Sequence, residues 1–168
     1  MPRKSNAPFL DAGDPFPTLE LNLTDGRRLV LPDDLSRPYN VVLVNRGSWC
    51  PYCVAQLQGF QSGLTQLVEE GIGVVSLSAD PRDRATALVA EHRLQFPVGY
   101  GASVDRVAEA LGTYYQPRPP EGAPYLQSAG FVLGPGGTVL LAMYSSGAIG
   151  RLVWRDVLGL VNYIRAHG

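Results

Sequence analysis

Two cysteines occur in the chain, three residues apart in Arg46-Gly47-Ser48-Trp49-Cys50-Pro51-Tyr52-Cys53-Val54. They follow the apolar run Val41-Val42-Leu43-Val44 and open a helix-like stretch. At that spacing both sulfurs fall on one helix face, within reach of a disulfide. The chemistry on offer is thiol redox: a thiolate attacks and a second thiol closes the bridge. A free thiol supplies little thiolate near neutrality, but unpaired N–H groups and the macrodipole at a helix N-terminus favour the anion. The placement predicts a partly exposed Cys50 with a lowered pKa and a more buried Cys53 with a higher one. Pro51 suits the first helical turn, which needs no N–H. One Cys-x-x-Cys gives only two metal ligands and no second pair or near His completes four, so structural zinc is not expected, and thiol redox chemistry needs no cofactor on the chain.

The neighbours of the pair carry their own options. Trp49 and Tyr52 flank the thiols, where an aromatic can dock a partner or lie as a lid on the core. Arg46 can lower the Cys50 pKa or neutralise a peroxide oxygen, or be a solvated strand-end charge. Arg151 follows the small-residue segment Tyr144-Ser145-Ser146-Gly147-Ala148-Ile149-Gly150, which could pass near the thiols, although a surface charge at a helix start is the simpler reading. His92 and His167 read as helix-surface residues. Gly71-Ile72-Gly73 lacks a third glycine and precedes a strand, so it is no dinucleotide fingerprint.

The elements that must hold these residues follow from periodicity. Leu19–Leu23 alternates apolar and polar, Asp25-Gly26 turns, and Arg28–Leu31 returns as a hairpin. Tyr39–Asn45 reads as a buried central strand. Cys50–Glu70 reads as one helix, with Leu57, Phe60, Leu64, Leu67 and Val68 at helical spacing and Gly71 closing it. Ile72–Ala79 is the next buried strand. Asp80 is expected to cap a helix that starts at Pro81 and runs to about Leu94. Phe96–Tyr100 is a short strand, and Ser103 caps a helix through Leu111 that Gly112 ends. Residues 117–124 form a proline-rich surface loop. Ala129–Leu133, a turn at 134–137 and Thr138–Tyr144 form a second hairpin. Leu152–Ala166 is a terminal helix with Val153, Val157, Leu160, Val161 and Ile164 inward. The order gives a three-layer α/β domain whose crossover strands are parallel.

The bulk numbers fit that picture. A chain of 168 residues, 45% hydrophobic and 17% charged, suits one compact domain. We read residues 1–16 as a proline-rich N-terminal arm and residues 17–168 as the domain. Net charge is -1 with scattered Lys and Arg, so no nucleic-acid footprint is expected. No apolar run approaches the roughly 20 residues of a membrane span. The first residues lack an apolar h-region, so a cytoplasmic setting is the expectation.

With Trp49-Cys50-Pro51-Tyr52-Cys53 at the first strand–helix junction, the order of elements resembles the thioredoxin fold. Residues 81–112 are similar to the helical insertion of peroxiredoxins. The stretch Val42–Cys53 followed by Gln56-Leu57 resembles the alkyl hydroperoxide reductase/thiol-specific antioxidant family, in its peroxiredoxin-like branch. Val74–Asp80 fits that family's second strand, and Gly130–Val139 its late hairpin. The likeness covers about residues 15–166.

Two positions depart from it. The family's Thr three residues before the attacking cysteine is Gly47 here, and Ser48 stands one step nearer as a substitute hydroxyl. The family's Arg before the late hairpin is Ser128, where thioredoxins and disulfide reductases carry a cis-proline. Arg46 and Arg151 are the candidate replacements for the missing guanidinium.

The resemblance implies a thiol peroxidase. Cys50 would attack hydrogen peroxide or an organic hydroperoxide and become a sulfenic acid, Cys53 would close the disulfide, and a thioredoxin-like dithiol would restore the pair. Trp49, Pro51, Tyr52 and Ser128 would then contact substrate or partner. Homodimers are common in that family. A thiol–disulfide oxidoreductase acting on protein disulfides and a dithiol redox-sensor module remain the alternatives.

Overall fold

The computed structural model describes residues 2–168. A seven-stranded mixed sheet forms the middle layer. Its strands are β2 (Leu19–Leu23), β3 (Arg28–Leu31), β4 (Tyr39–Val44), β5 (Ile72–Leu77), β6 (Val98–Tyr100), β9 (Ala129–Leu133) and β10 (Val139–Tyr144), in the spatial order β10-β9-β4-β5-β6-β2-β3. Strands β4, β5 and β6 are parallel, and both hairpins add antiparallel strands. This is the three-layer thioredoxin-like arrangement expected from the sequence.

Alternation along β4 divides the core. Val42 and Val44 face a cluster with Phe16, Leu21, Phe131 and residues Val107, Ala108 and Leu111 of α4 (Val104–Leu111). Val41 and Leu43 face the other side. There they meet α1 (Pro51–Ser62), α2 (Leu64–Glu69), α3 (Arg82–His92) and α5 (Trp154–His167) through Leu57, Phe60, Leu67, Leu88, Trp154, Val157 and Val161. Burying each such side chain stabilises the fold by about 1.5–3 kcal/mol before entropy is counted.

Several local expectations are corrected. The helix read over Cys50–Glu70 breaks at Gly63, which separates α1 from α2. The Trp154 indole lies where a Cβ at residue 63 would be, so α5 packs directly on the backbone there. Val153 is 54% exposed rather than inward, and Trp154 takes the buried place. Helix α3 ends at His92 because Arg93 turns left-handed, at φ 52°. Asp80 does not cap α3: the N-cap is Pro81, without a side-chain bond, and the Asp80 carboxylate accepts the Ser48 N–H instead.

A second, three-stranded sheet went unseen in the sequence. It joins β1 (Arg3–Lys4), β7 (Tyr114–Gln116) and β8 (Tyr125–Leu126). The N-terminal segment read as a proline-rich arm is pinned to the rest of the chain by β1, by buried Phe16 and by Val139 N–H donating to Asp14 O. The proline-rich loop connects β7 to β8, so Tyr125 at its end is carried back toward the start of α1, where its ring meets Trp49.

Candidate active site

Strand β4 ends at Val44, and six residues, Asn45 to Cys50, lead to the first turn of α1. Cys50 is the N-cap, with extended backbone at φ -92° and ψ 111°, and its sulfur accepts the Cys53 N–H at 3.4 Å. Capping of this kind meets one of the orphan donors of the first turn. Cys53 lies one turn on, and its sulfur accepts the Arg46 backbone N–H at 3.3 Å.

Both arginines reach the sulfurs. Arg46 Nη1 donates to Cys50 Sγ at 3.6 Å, while Arg151 Nη2 donates to Cys53 Sγ at 2.9 Å and to Cys50 Sγ at 3.5 Å. Arg151 is therefore a site residue, not the helix-start surface charge that its position suggested. Its own segment holds it through Nη1, which donates to the Ala148 carbonyl at 2.6 Å.

Cys50 is not partly exposed: it shows 0% of its surface and Cys53 1%. The groups over the sulfurs are long side chains that are themselves half-exposed. The Arg46 guanidinium sits 4.8 Å from the Trp49 ring and 5.2 Å from that of Tyr125, whose hydroxyl it also meets at 3.4 Å. Arg151 lies 5.9 Å from the Tyr52 ring. Trp49 and Tyr52 are about half exposed, at 47% and 52%.

Burial by itself pushes the Cys50 thiol up, but hydrogen bonds from the Cys53 thiol and backbone N–H, the Arg46 guanidinium and the charge of Arg151 outweigh it and leave Cys50 below its ordinary pKa. Burial and the neighbouring Cys50 sulfur hold Cys53 above its ordinary value, only partly offset by Arg151. The two thiols thus differ in the direction expected from the helix start, although arginines supply part of the effect.

The remaining predicted residues divide. The Ser48 hydroxyl makes no hydrogen bond to either sulfur. Ser48 instead lines a cleft with Val54, Leu88 and His92 between α1 and α3. Ser128 is buried, and its carbonyl accepts the Ser145 N–H at 3.0 Å, which ties the approach to the Arg151 segment to β9. Pro51 is exposed in the first turn of α1. His92 contacts Gln58 Nε2 at 2.9 Å, away from the thiols. The missing Thr has a backbone cause. Gly47 adopts φ 151°, and a Cβ there would run into the Trp49 indole and approach Asp80 Oδ1 to 2.8 Å.

Three site residues were not found from the sequence: Asp80, Tyr125 and Gln56. Asp80 looked like a helix cap, and Tyr125 sat in a segment with no visible period. Gln56 was one polar residue among several on α1. A groove of about 750 Å³ opens on the outer side of Arg46 and Trp49, between the proline-rich loop and residues 79–84, with Arg84 and Tyr125 also among its walls. Among the described residues no cluster of three or more His, Cys, Asp or Glu has the arrangement of a metal site. Nor is any helix there long and apolar enough to cross a membrane.

The chain matches the AhpC/TSA family over residues 12–141, a stretch that includes the strand, turn and helix presenting the dithiol. The chain belongs to the AhpC/TSA family. Solved structures share the fold at low identity. Peroxidoxin BcpB from Mycobacterium tuberculosis is 20% identical with a TM-score of 0.77, covering 92% of this chain and 98% of that one. AhpC from Mycobacterium bovis is 16% identical with a TM-score of 0.76, covering 96% of both. A peroxiredoxin-like protein from Aquifex aeolicus is 16% identical with a TM-score of 0.75, covering 94% of this chain and 89% of that one. No curated protein matches the chain. In this member of the AhpC/TSA family the two thiols lie inside one helical turn, and the guanidinium groups of Arg46 and Arg151 meet them.

Proposed function

We propose that this AhpC/TSA protein is a thiol peroxidase whose attacking residue is Cys50. The observation that carries the reading is the approach of two guanidinium groups, Arg46 and Arg151, to within 3.6 Å of the Cys50 sulfur at the N-cap of α1. Fixed cations at that place favour the thiolate and receive the negative charge that develops on the leaving oxygen.

In the reaction the Cys50 thiolate attacks one oxygen of the peroxide. An S–O bond forms, the O–O bond breaks, and the other oxygen takes a proton and leaves as water or an alcohol. Cys50 is then a sulfenic acid. The Cys53 sulfur attacks it, the S–S bond forms and water departs. An external dithiol of thioredoxin type reduces the bridge by exchange. The raised pKa of Cys53 suits this order, since it keeps the second thiol protonated while the first one reacts. The groove beside Arg46, walled by Trp49, Tyr125 and the prolines of the 117–124 loop, supports organic hydroperoxides as well as hydrogen peroxide, because it offers an apolar surface next to the guanidinium that meets Cys50. We read the reaction as the work of a single domain, residues 17–168, in a cytoplasmic setting.

Exposed Trp49 and Tyr52 on either side of the dithiol favour a second reading, a thiol–disulfide oxidoreductase that docks protein disulfides. Two measurements separate the readings. Initial rates with hydrogen peroxide and with a bulky organic hydroperoxide should far exceed that of free cysteine for a peroxidase. A rate no better than free cysteine, together with rapid insulin reduction, selects the oxidoreductase. In Cys53→Ser, one equivalent of peroxide should add the mass of one oxygen atom at Cys50; an unchanged mass rejects the sulfenic acid step.

A further inference from the structure

We propose that Gln56 is a positioning residue that registers Arg151 against the two sulfurs. The proposal deepens the role given above to Cys50, but its test reads ionisation and not turnover.

Arg151 lies between β10 and α5, outside any helix or strand, so no regular backbone pattern determines where its guanidinium lands. Cys50, Cys53 and Gln56 succeed one another every three residues from the N-cap of α1 and share a face. Arg151 Nη2 donates to the first two at 3.5 and 2.9 Å, and the carbonyl of the next residue, Leu152, accepts Gln56 Nε2 at 3.0 Å. The dipeptide Arg151-Leu152 is thus docked on one helical stripe at both residues. Behind it, the Leu152 side chain fills the space over Gly130 of β9, where a Cβ would come within 2.6 Å of Leu152 Cδ1.

The chemistry of Gln56 points the same way. It is only 9% exposed, yet its Oε1 has no hydrogen-bond partner. A buried amide with one end unmet is a poorer core residue than Leu or Met would be. What the amide supplies at this position is its donor end. Its target is a carbonyl in an irregular segment, where no ladder partner meets it. Loss of that bond frees the Leu152 backbone and with it the irregular segment that carries Arg151, including the Ala148 carbonyl that accepts Arg151 Nη1 at 2.6 Å. The guanidinium then samples positions away from Cys50, and the thiolate loses a fixed positive neighbour.

The test is Gln56→Met, which keeps the bulk and removes the donor. Pulse labelling with iodoacetamide across pH, read residue by residue by mass spectrometry, gives the ionisation midpoint of Cys50. We expect it to rise by about half a pH unit or more, with labelling below the midpoint slowed ~3-fold or more. In an Arg151→Met background the same substitution should move neither quantity, because its effect runs through Arg151. Gly130→Ala dislodges Leu152 from the opposite side and should raise the midpoint as well, which keeps the proposal testable if Gln56→Met does not fold. A folded Gln56→Met with an unchanged Cys50 midpoint overturns it. So does a shift of equal size with and without Arg151. Coupling in a protein inert to peroxide would remove the peroxidase reading and leave this one standing. Fast peroxide turnover without coupling would do the reverse.

Discussion

The carboxylate of Asp80, at the end of the segment that follows β5, accepts the backbone N–H of Ser48 at 2.6 Å. Asp80 is buried, and 32 residues separate the pair in sequence. The contact ties the turn that delivers Trp49 and Cys50 to the neighbouring strand, so the approach to α1 is set from outside its own loop.

Removing that acceptor should loosen the turn. Asp80→Ala is expected to destabilise the protein by about 1.5–3 kcal/mol, the range for a hydrogen bond to a charged group. Asp80→Asn, which can still accept, should recover much of it. Urea unfolding midpoints compare the two, and equal losses in both variants would show that the bond to Ser48 is not what Asp80 contributes.

The two arginines should contribute separately to Cys50. Arg46→Met and Arg151→Met are each expected to raise the Cys50 ionisation midpoint and to slow reaction with hydrogen peroxide by roughly 100-fold, the scale for loss of one preorganised donor. Arg46→Met should also free Trp49, since the guanidinium packs on both Trp49 and Tyr125. Stopped-flow rates together with tryptophan emission would register both effects.

The pH dependence has opposite signs at the two thiols. Because the folded state lowers the Cys50 pKa, its thiolate contributes stability that is present above the unfolded thiol pKa of about 8.5 and is lost as pH falls through the lowered folded value. Cys53 is raised, so its contribution is full below the unfolded value and is lost as pH climbs toward the raised one. The pair is expected to titrate jointly, with alkylation at Cys50 well before Cys53. Reduced Cys53→Ser should lack the alkaline loss of stability, which thermal melts between mildly acidic and alkaline pH can measure. A wild-type alkaline loss that survives in this variant would assign it elsewhere.

Gly47→Ala should be poorly tolerated. The backbone at φ 151° and the close approach of Trp49 and Asp80 leave no room for a Cβ. A cost of about 1–3 kcal/mol, the scale for a non-glycine residue in a sparsely populated backbone region, is expected in chemical denaturation. The peroxide rate should fall with it, because Trp49 would have to move. Full activity in a stable Gly47→Thr variant would mean that the turn can rearrange to a threonine-bearing form.

How legible each feature was depends on how local its cause is. The two hairpins, the parallel crossover strands and helix α4 with its Ser103 cap and Gly112 stop were readable, since each rests on side-chain alternation, turn residues or capping within a few positions. The break at Gly63 was not, because its cause is Trp154, on a helix 91 residues later. Strands β7 and β8 are three and two residues long and lean on β1, too short for any period to show. Asp80 carried the right residue type for a cap and was drawn instead to a donor on another loop.

From its residues alone the chain declared a dithiol at a strand–helix junction, the order of its elements and a thioredoxin-like architecture, because those follow from local periodicity and from the geometry of one helical turn. Only the tertiary structure decided which side chains meet the sulfurs. Arg46 turns inward under Trp49 and Tyr125, Arg151 arrives from 98 residues beyond Cys53, and Gln56 and Gly130 seat the segment that carries it. Electrostatics and hydrogen bonding act over a few ångströms of space, and distance along the chain does not reveal which groups folding brings that close.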